Sequence, residues 1–119
     1  MPFSSDVATC VYGQEDFSAS ESGKGRAQLD SPESATVTAR GMLLVADCGN
    51  RRLVGWRQAH TRQSGAEADV VLALDVYPLC VRVDSQGDLW VGSDEHVIKR
   101  FAAADELHDD EPVQILVVQ

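Results

Sequence analysis

Apolar residues along this chain fall into short runs separated by polar, glycine-bearing turns, and the runs come in two sets of four. The first set reads as strands at Ser34–Thr38, Met42–Ala46, Leu53–Arg57 and Val70–Leu74. The second falls at Leu79–Val83, Leu89–Gly92, Val97–Phe101 and Val113–Val118. Run length, β-branched content and the flanking turn residues favour strands over amphipathic helices. One further run, Ala8–Tyr12, precedes both sets and predicts an extra outer strand. Met42 to Ala46 is apolar at every position, where a strand wet on one face would alternate. That run therefore predicts a strand buried on both sides.

The two sets are copies of one pattern. Pro32 matches Pro78, Gly41 matches Gly87, Leu43 matches Leu89 and Val45 matches Val91, each pair 46 positions apart. After that the second copy is one residue shorter, and Leu53 and Trp56 match Ile98 and Phe101. Each copy opens on a proline and makes a glycine-bearing turn between its first and second strands. Glycine supplies the positive φ that such turns often need. Four short antiparallel strands per repeat describe a propeller blade. The expected fold class is therefore all-β. It consists of antiparallel four-stranded blades, about two per chain, in a single domain spanning 1–119: an outer strand at 8–12, one blade at 31–75 and a second at 76–119.

Asp47-Cys48-Gly49-Asn50-Arg51-Arg52-Leu53-Val54 resembles the turn signature of NHL repeats, in which Asp, Gly, Asn and Arg recur between the second and third strands. Val11-Tyr12-Gly13-Gln14-Glu15-Asp16-Phe17, with the Ser/Gly-rich loop up to Leu29-Asp30-Ser31-Pro32, is similar to the linker before many bacterial NHL blades. The resemblance runs from about Val11 to about Phe101. It weakens in the second copy, where Gly92-Ser93-Asp94-Glu95-His96 lacks the Gly-Asn-Arg core, so that turn must be held differently. The resemblance implies a ring, usually of six blades, and a broad role in binding proteins or other ligands. A few members of the family are enzymes, but no catalytic residue carries over to this chain.

Two blades leave an apolar sheet face at each end, and repeat units do not bury such faces alone. Closed symmetry is the economical remedy. The chain is accordingly expected to be a homo-oligomer. A trimer giving six blades is favoured over a dimer giving four, with a fragment that has lost its other blades as the remaining possibility.

Charge narrows the partners. Asp and Glu outnumber Lys and Arg by 19 to 10, a surface that repels phosphate backbones, so nucleic acid is not an expected partner. No apolar run is long enough to cross a membrane as a helix, and Met1–Val7 does not read as a secretory signal, which favours a cytoplasmic location. Cys10, Cys48 and Cys80 are odd in number and irregularly spaced, the pattern of free thiols rather than of a disulfide framework or zinc site.

Propeller topology would gather Gln14–Asp30, Asp47–Arg52, Asp75–Tyr77 and Ser93–His96 on one loop face. The candidate ligand-binding residues are therefore Gln14, Asp16, Arg51, Arg52, Tyr77, Asp94 and His96. Asp47, Gly49, Asn50 and Arg52 also have a plain structural reading as turn-builders. Asp94-Glu95-His96 reads more simply as a solvated turn than as a metal or acid–base cluster, because adjacent residues rarely converge. Cys48 has no histidine partner, although Arg51 and Arg52 might activate it. Ser22-Gly23-Lys24-Gly25 lacks the requirements of a phosphate loop. Trp56, Trp90 and Phe101 read as core, His60 and His108 as surface residues without partners, and Asp105–Glu111 as a solvated connector.

No catalytic constellation, metal site or cofactor motif emerges. The expected function is a non-enzymatic module that self-associates and binds a protein or small ligand on its loop face. Two alternatives stand beside it. One is a propeller lyase or hydrolase whose site is assembled between chains. The other is a small lectin-like ring, which the 6% aromatic content mildly disfavours.

Overall fold

A computed structural model of the chain describes residues 10–14 and 22–118. Eight strands form two four-stranded antiparallel meanders. The first comprises β1 (Pro32–Val37), β2 (Leu43–Asp47), β3 (Arg52–Trp56) and β4 (Val70–Ala73). The second comprises β5 (Pro78–Val83), β6 (Leu89–Ser93), β7 (Val97–Phe101) and β8 (Ile115–Val118). The protein is thus all-β. Each strand lies within a few residues of its predicted run. Of the expected extra strand, residues 8 and 9 fall outside the described residues. Residues 10–12 carry no strand assignment. Instead the Val11 N–H donates to Ser64 Oγ (3.0 Å) and its carbonyl accepts from Gly65 N–H (3.2 Å).

The sheets repeat each other bond for bond at their first turns. Gly41 N–H donates to the Thr38 carbonyl and Gly87 N–H to the Asp84 carbonyl, both at 3.0 Å. Both glycines hold φ near +85°, at +87° and +84°, where a side chain would be strained. Thr38 Oγ1 accepts from Met42 N–H (2.9 Å) as Asp84 Oδ1 accepts from Asp88 N–H (3.0 Å). A single 3-10 turn follows the third strand in each copy, at Ala59–Thr61 and Ala104–Glu106, entered through a left-handed Gln58 or Ala103. The register slips at equivalent places too, between Pro32 and Ser34 and between Pro78 and Cys80.

One face of the first sheet packs on the second sheet, and β1 and β5 lie side by side, with Val81 N–H donating to Ser34 Oγ at 3.2 Å. Met42, Leu44, Leu53, Leu72, Leu89 and Phe101 belong to the cluster between the sheets. Val45, Val54 and Trp56 point the other way, into a second cluster closed by Tyr12, Leu29 and Ala66. β2 is therefore covered on both sides, as its unbroken apolar run requires. Trp56 and Phe101 are fully buried, whereas Trp90 is only half-buried and lies on the far face of the second sheet.

The Asp105–Glu111 segment corrects the expectation of a solvated connector. Leu107 is fully buried, Asp105 accepts from Thr38 Oγ1, and Asp109 Oδ1 accepts from Val71 N–H at 2.8 Å. The segment is a strap from the second sheet across the first, and Asp109 covers an otherwise open amide on edge strand β4. His108 has a partner after all, in Glu111 at 3.3 Å. Among the described residues no helix is long and apolar enough to cross a membrane.

Four carboxylates that tie loops together are held below the usual carboxylate range. The Lys99 ammonium lowers Asp75 and the Trp90 indole N–H lowers Asp84. Asp109 is lowered by Val71 N–H and then Arg26. Burial pushes Asp69 up, but Arg57 N–H and the Arg62 guanidinium outweigh it. Their contribution is complete above the unfolded-chain value of about 4 and is lost as pH falls through the lower folded values. Urea midpoints are therefore expected to be flat near neutral pH and to fall steadily below about pH 4. Phe101→Ala should cost about 3–5 kcal/mol in the same assay, and Val37→Ala, 61% exposed, under about 0.5 kcal/mol.

Candidate functional site

The turn from β2 to β3 is built on a buried ion pair. Asp47 ends β2 with no exposed surface, and Arg52 opens β3 with a side chain 7% exposed. Asp47 Oδ2 accepts from Arg52 Nε at 2.6 Å and from Asn50 Nδ2 at 2.9 Å. Its Oδ1 accepts from Asp30 N–H at 2.7 Å. The rest of the Arg52 guanidinium donates to the carbonyls of Lys24 (2.6 Å), Gly25 (3.0 Å) and Gln28 (2.7 Å). Asn50 Nδ2 also reaches the Gly23 carbonyl at 2.7 Å. Gly49 admits Asp30 so closely that a Cβ would stand 2.7 Å from its carbonyl oxygen. Both buried charges are thus neutralised and hydrogen-bonded, the condition under which burial is tolerated. Asp47, Gly49, Asn50 and Arg52 tie the Gly23–Asp30 loop down, and among the proposed ligand residues Arg52 is committed to that work.

Arg51, one position earlier, faces solvent. It adopts a left-handed φ of 52°, which turns its side chain away from the sheet. Its guanidinium lies 4.3 Å from the Tyr77 ring centroid and donates to the Tyr77 hydroxyl at 2.9 Å, a cation–π stack closed by a hydrogen bond. The Tyr77 hydroxyl, with Glu95 and Asp94 beyond it, holds Arg51 above its usual pKa. Asp94 N–H donates to the Tyr77 carbonyl at 3.3 Å. The fold therefore brings Arg51, Tyr77 and Asp94 together at one end of the two sheets.

The second-copy turn is held by Ser93, whose Oγ accepts from Glu95 N–H and Val97 N–H, both at 3.3 Å, in place of the Asp–Asn–Arg arrangement. His96 takes the left-handed position there, φ 59°, and is exposed. Gln14 stands apart, on a shallow recess of about 240 Å³ with Tyr12, Ser22 and Leu29. Asp16 lies outside the described residues.

Cys48 sits in acidic rather than basic surroundings. Burial raises its thiol first, and the charges of Glu33, Asp94, Asp47 and Asp30 raise it further. The thiol is thus kept protonated and is a poor nucleophile, contrary to the activation that Arg51 and Arg52 suggested in sequence. Among the described residues no three or more His, Cys, Asp or Glu side chains gather as a metal would need.

Sequence reasoning missed one recess at this end. Val76, Val97, Leu116 and Val118 line a cavity of about 430 Å³ with the Asp75 and Glu95 carboxylates among its walls. Lys99, buried beneath it, pairs with Asp75. No local signal marks this site, because β8 and the β4–β5 link meet only in the fold. An apolar floor beside carboxylates suits a ligand with an apolar body and a cationic group.

The buried and exposed arginines predict opposite outcomes. Asp47→Ala should lower stability by about 3–5 kcal/mol and make the Gly23–Asp30 loop the first site of proteolysis. Arg51→Ala should leave the urea midpoint within about 0.5 kcal/mol of the parent. Comparison of the chain with protein-family models and with curated proteins finds no match, so the loop end is read from its own geometry.

Proposed function

We propose that the chain is a non-enzymatic interaction module: two successive blades of an NHL-like propeller that associates through its sheet faces and takes a protein or small ligand at the Arg51–Tyr77 end. One observation carries this reading. The two sheets repeat each other's strand order and turn bonding, and one packs on the other so that opposite faces meet. Such a contact is head-to-tail, and it uses one face of each sheet while leaving the other for a further sheet. The leftover face of the second sheet carries half-buried Trp90 together with Ile98, Ile115 and Val117, which are 41–47% exposed. A contiguous apolar surface of this kind marks an interaction site on a soluble protein.

Closing a ring from such units takes four to eight blades. Three copies would supply the six blades usual in the family that the sequence resembles. At the other extreme of the fold, the Arg51–Tyr77 stack offers a rigid aromatic and a cation to an incoming group. The carboxylates of Asp75, Asp94 and Glu95 surround it. Sedimentation equilibrium on the intact chain should give three chain masses at micromolar concentration, and two would indicate the four-bladed alternative. A single chain mass up to high concentration would overturn self-association.

A further inference from the structure

Resting on that self-association, we propose where copies meet: the outer face of the second sheet of one copy seats Trp90 on the Ala35–Leu43–Val45 surface of the next, head to tail. The occupant of each open face is a second copy of this chain, and the contact within the chain supplies the template.

Cross-strand register makes the equivalences definite. Leu44 faces Gly55 across the first sheet as Trp90 faces Arg100 across the second, and Ala46 faces Leu53 as Gly92 faces Ile98. The outer face of the second sheet is therefore the counterpart of the face that the first sheet already buries. On the receiving side, Ala35 pairs with Val45 as Val81 pairs with Val91, and Leu43 with Trp56 as Leu89 with Phe101. Val81, Leu89 and Val91 lie in the core between the sheets. Their counterparts Ala35, Leu43 and Val45 line an open hollow of about 380 Å³. A knob and a socket of the kind already joined inside the chain thus recur, unjoined, at its two ends.

The two open faces have also closed the same sector. Inside the chain, the Met42 end of the first sheet meets the 3-10 turn at Ala104, fastened by Thr38 to Asp105. The counterpart of Met42 on the outer face is Asp88, which pairs with Arg100, and that guanidinium lies 5.7 Å from the Trp90 ring centroid. This sector is charged and satisfied by its own sheet. The counterpart of Ala104 is Ala59, whose carbonyl accepts from the Tyr12 hydroxyl, while the Tyr12 ring stacks 5.1 Å from Trp56. That sector is covered by the chain itself. What remains open on each side is the part nearest β1 and β5. There the link from Ser34 Oγ to Val81 N–H has its counterpart in exposed Cys80 facing Ala35. Two unrelated devices, an ion pair and an aromatic cover, exclude one sector from both faces and leave matching remainders.

A head-to-tail contact uses two different patches, so it is testable by complementation. Trp90→Glu should block one face and Ala35→Glu the other, each weakening association of the intact chain about 100-fold or more by sedimentation. An equimolar mixture of the two variants should recover a one-to-one dimer that does not grow, because each retains the patch the other has lost. Circular dichroism and urea midpoints verify that both variants fold. Ile98→Glu, at a site 42% exposed, replaces Trp90→Glu if the latter does not. The proposal is overturned if Ala35→Glu associates like the parent, or if the mixture stays monomeric where the parent assembles. In either case self-association stands and only its location fails. A parent chain that is itself monomeric defeats both.

Discussion

The governing constraint in this molecule is that its sheets are apolar on both faces. A four-stranded sheet of short strands has little core of its own, and its stability comes from what covers it. The first sheet is covered twice, by the second sheet on one side and by Tyr12, Leu29 and the Ala66–Ala68 stretch on the other. The second sheet is covered once. Much of the remaining architecture follows from that inequality. The strap at Ala104–Asp109 locks the single sheet-to-sheet contact from outside, through Thr38, Arg57 and Val71. The Asp88–Arg100 pair and the Asp84–Trp90 hydrogen bond give the bare face a polar margin.

The loop end depends on the same economy. Arg52 begins a strand that is buried along its whole length, so its guanidinium must be neutralised where it stands. Asp47 does this from the adjacent strand end, and the spare donors recruit the Gly23–Asp30 backbone. That loop in turn places Leu29 over the outer cluster. A single buried ion pair thereby couples a surface turn to the cover of a sheet face. Because Arg52 is fully engaged, Arg51 is released to solvent, and its left-handed backbone directs it to Tyr77.

Much of this was legible in the residues. Eight strands, the positive-φ glycines of the first turns and the two-sided burial of β2 all follow from local pattern, because strand length and side-chain period are local properties. Three features were not. Leu107 and Asp109 look like ordinary loop residues, since their partners lie 36 or more positions away in β3, β4 and Arg26. Trp90 reads as core because its neighbours in sequence match those of Leu44, yet whether a sheet faces its outer side is decided by what else is present. Arg51 and Arg52 are adjacent and chemically identical, and only the left-handed turn between the strands separates the buried structural cation from the exposed one.

The edges show how far the chain goes in managing its own surface. Edge strand β4 has an amide of Val71 capped by Asp109. At edge strand β8, Ile115, Leu116, Val117 and Val118 are all exposed, at 41–62%. Such a strand, apolar and uncharged along its length, is the type that soluble proteins ordinarily blunt with charge, proline or a covering segment. Here its two faces have separate roles. Ile115 and Val117 extend the Trp90 face, whereas Leu116 and Val118 line the recess shared with Asp75 and Glu95. A substitution that blunts the edge with charge therefore acts on one surface or the other according to its parity. The period of two in a strand gives this short segment a part in both the association face and the ligand-sized recess.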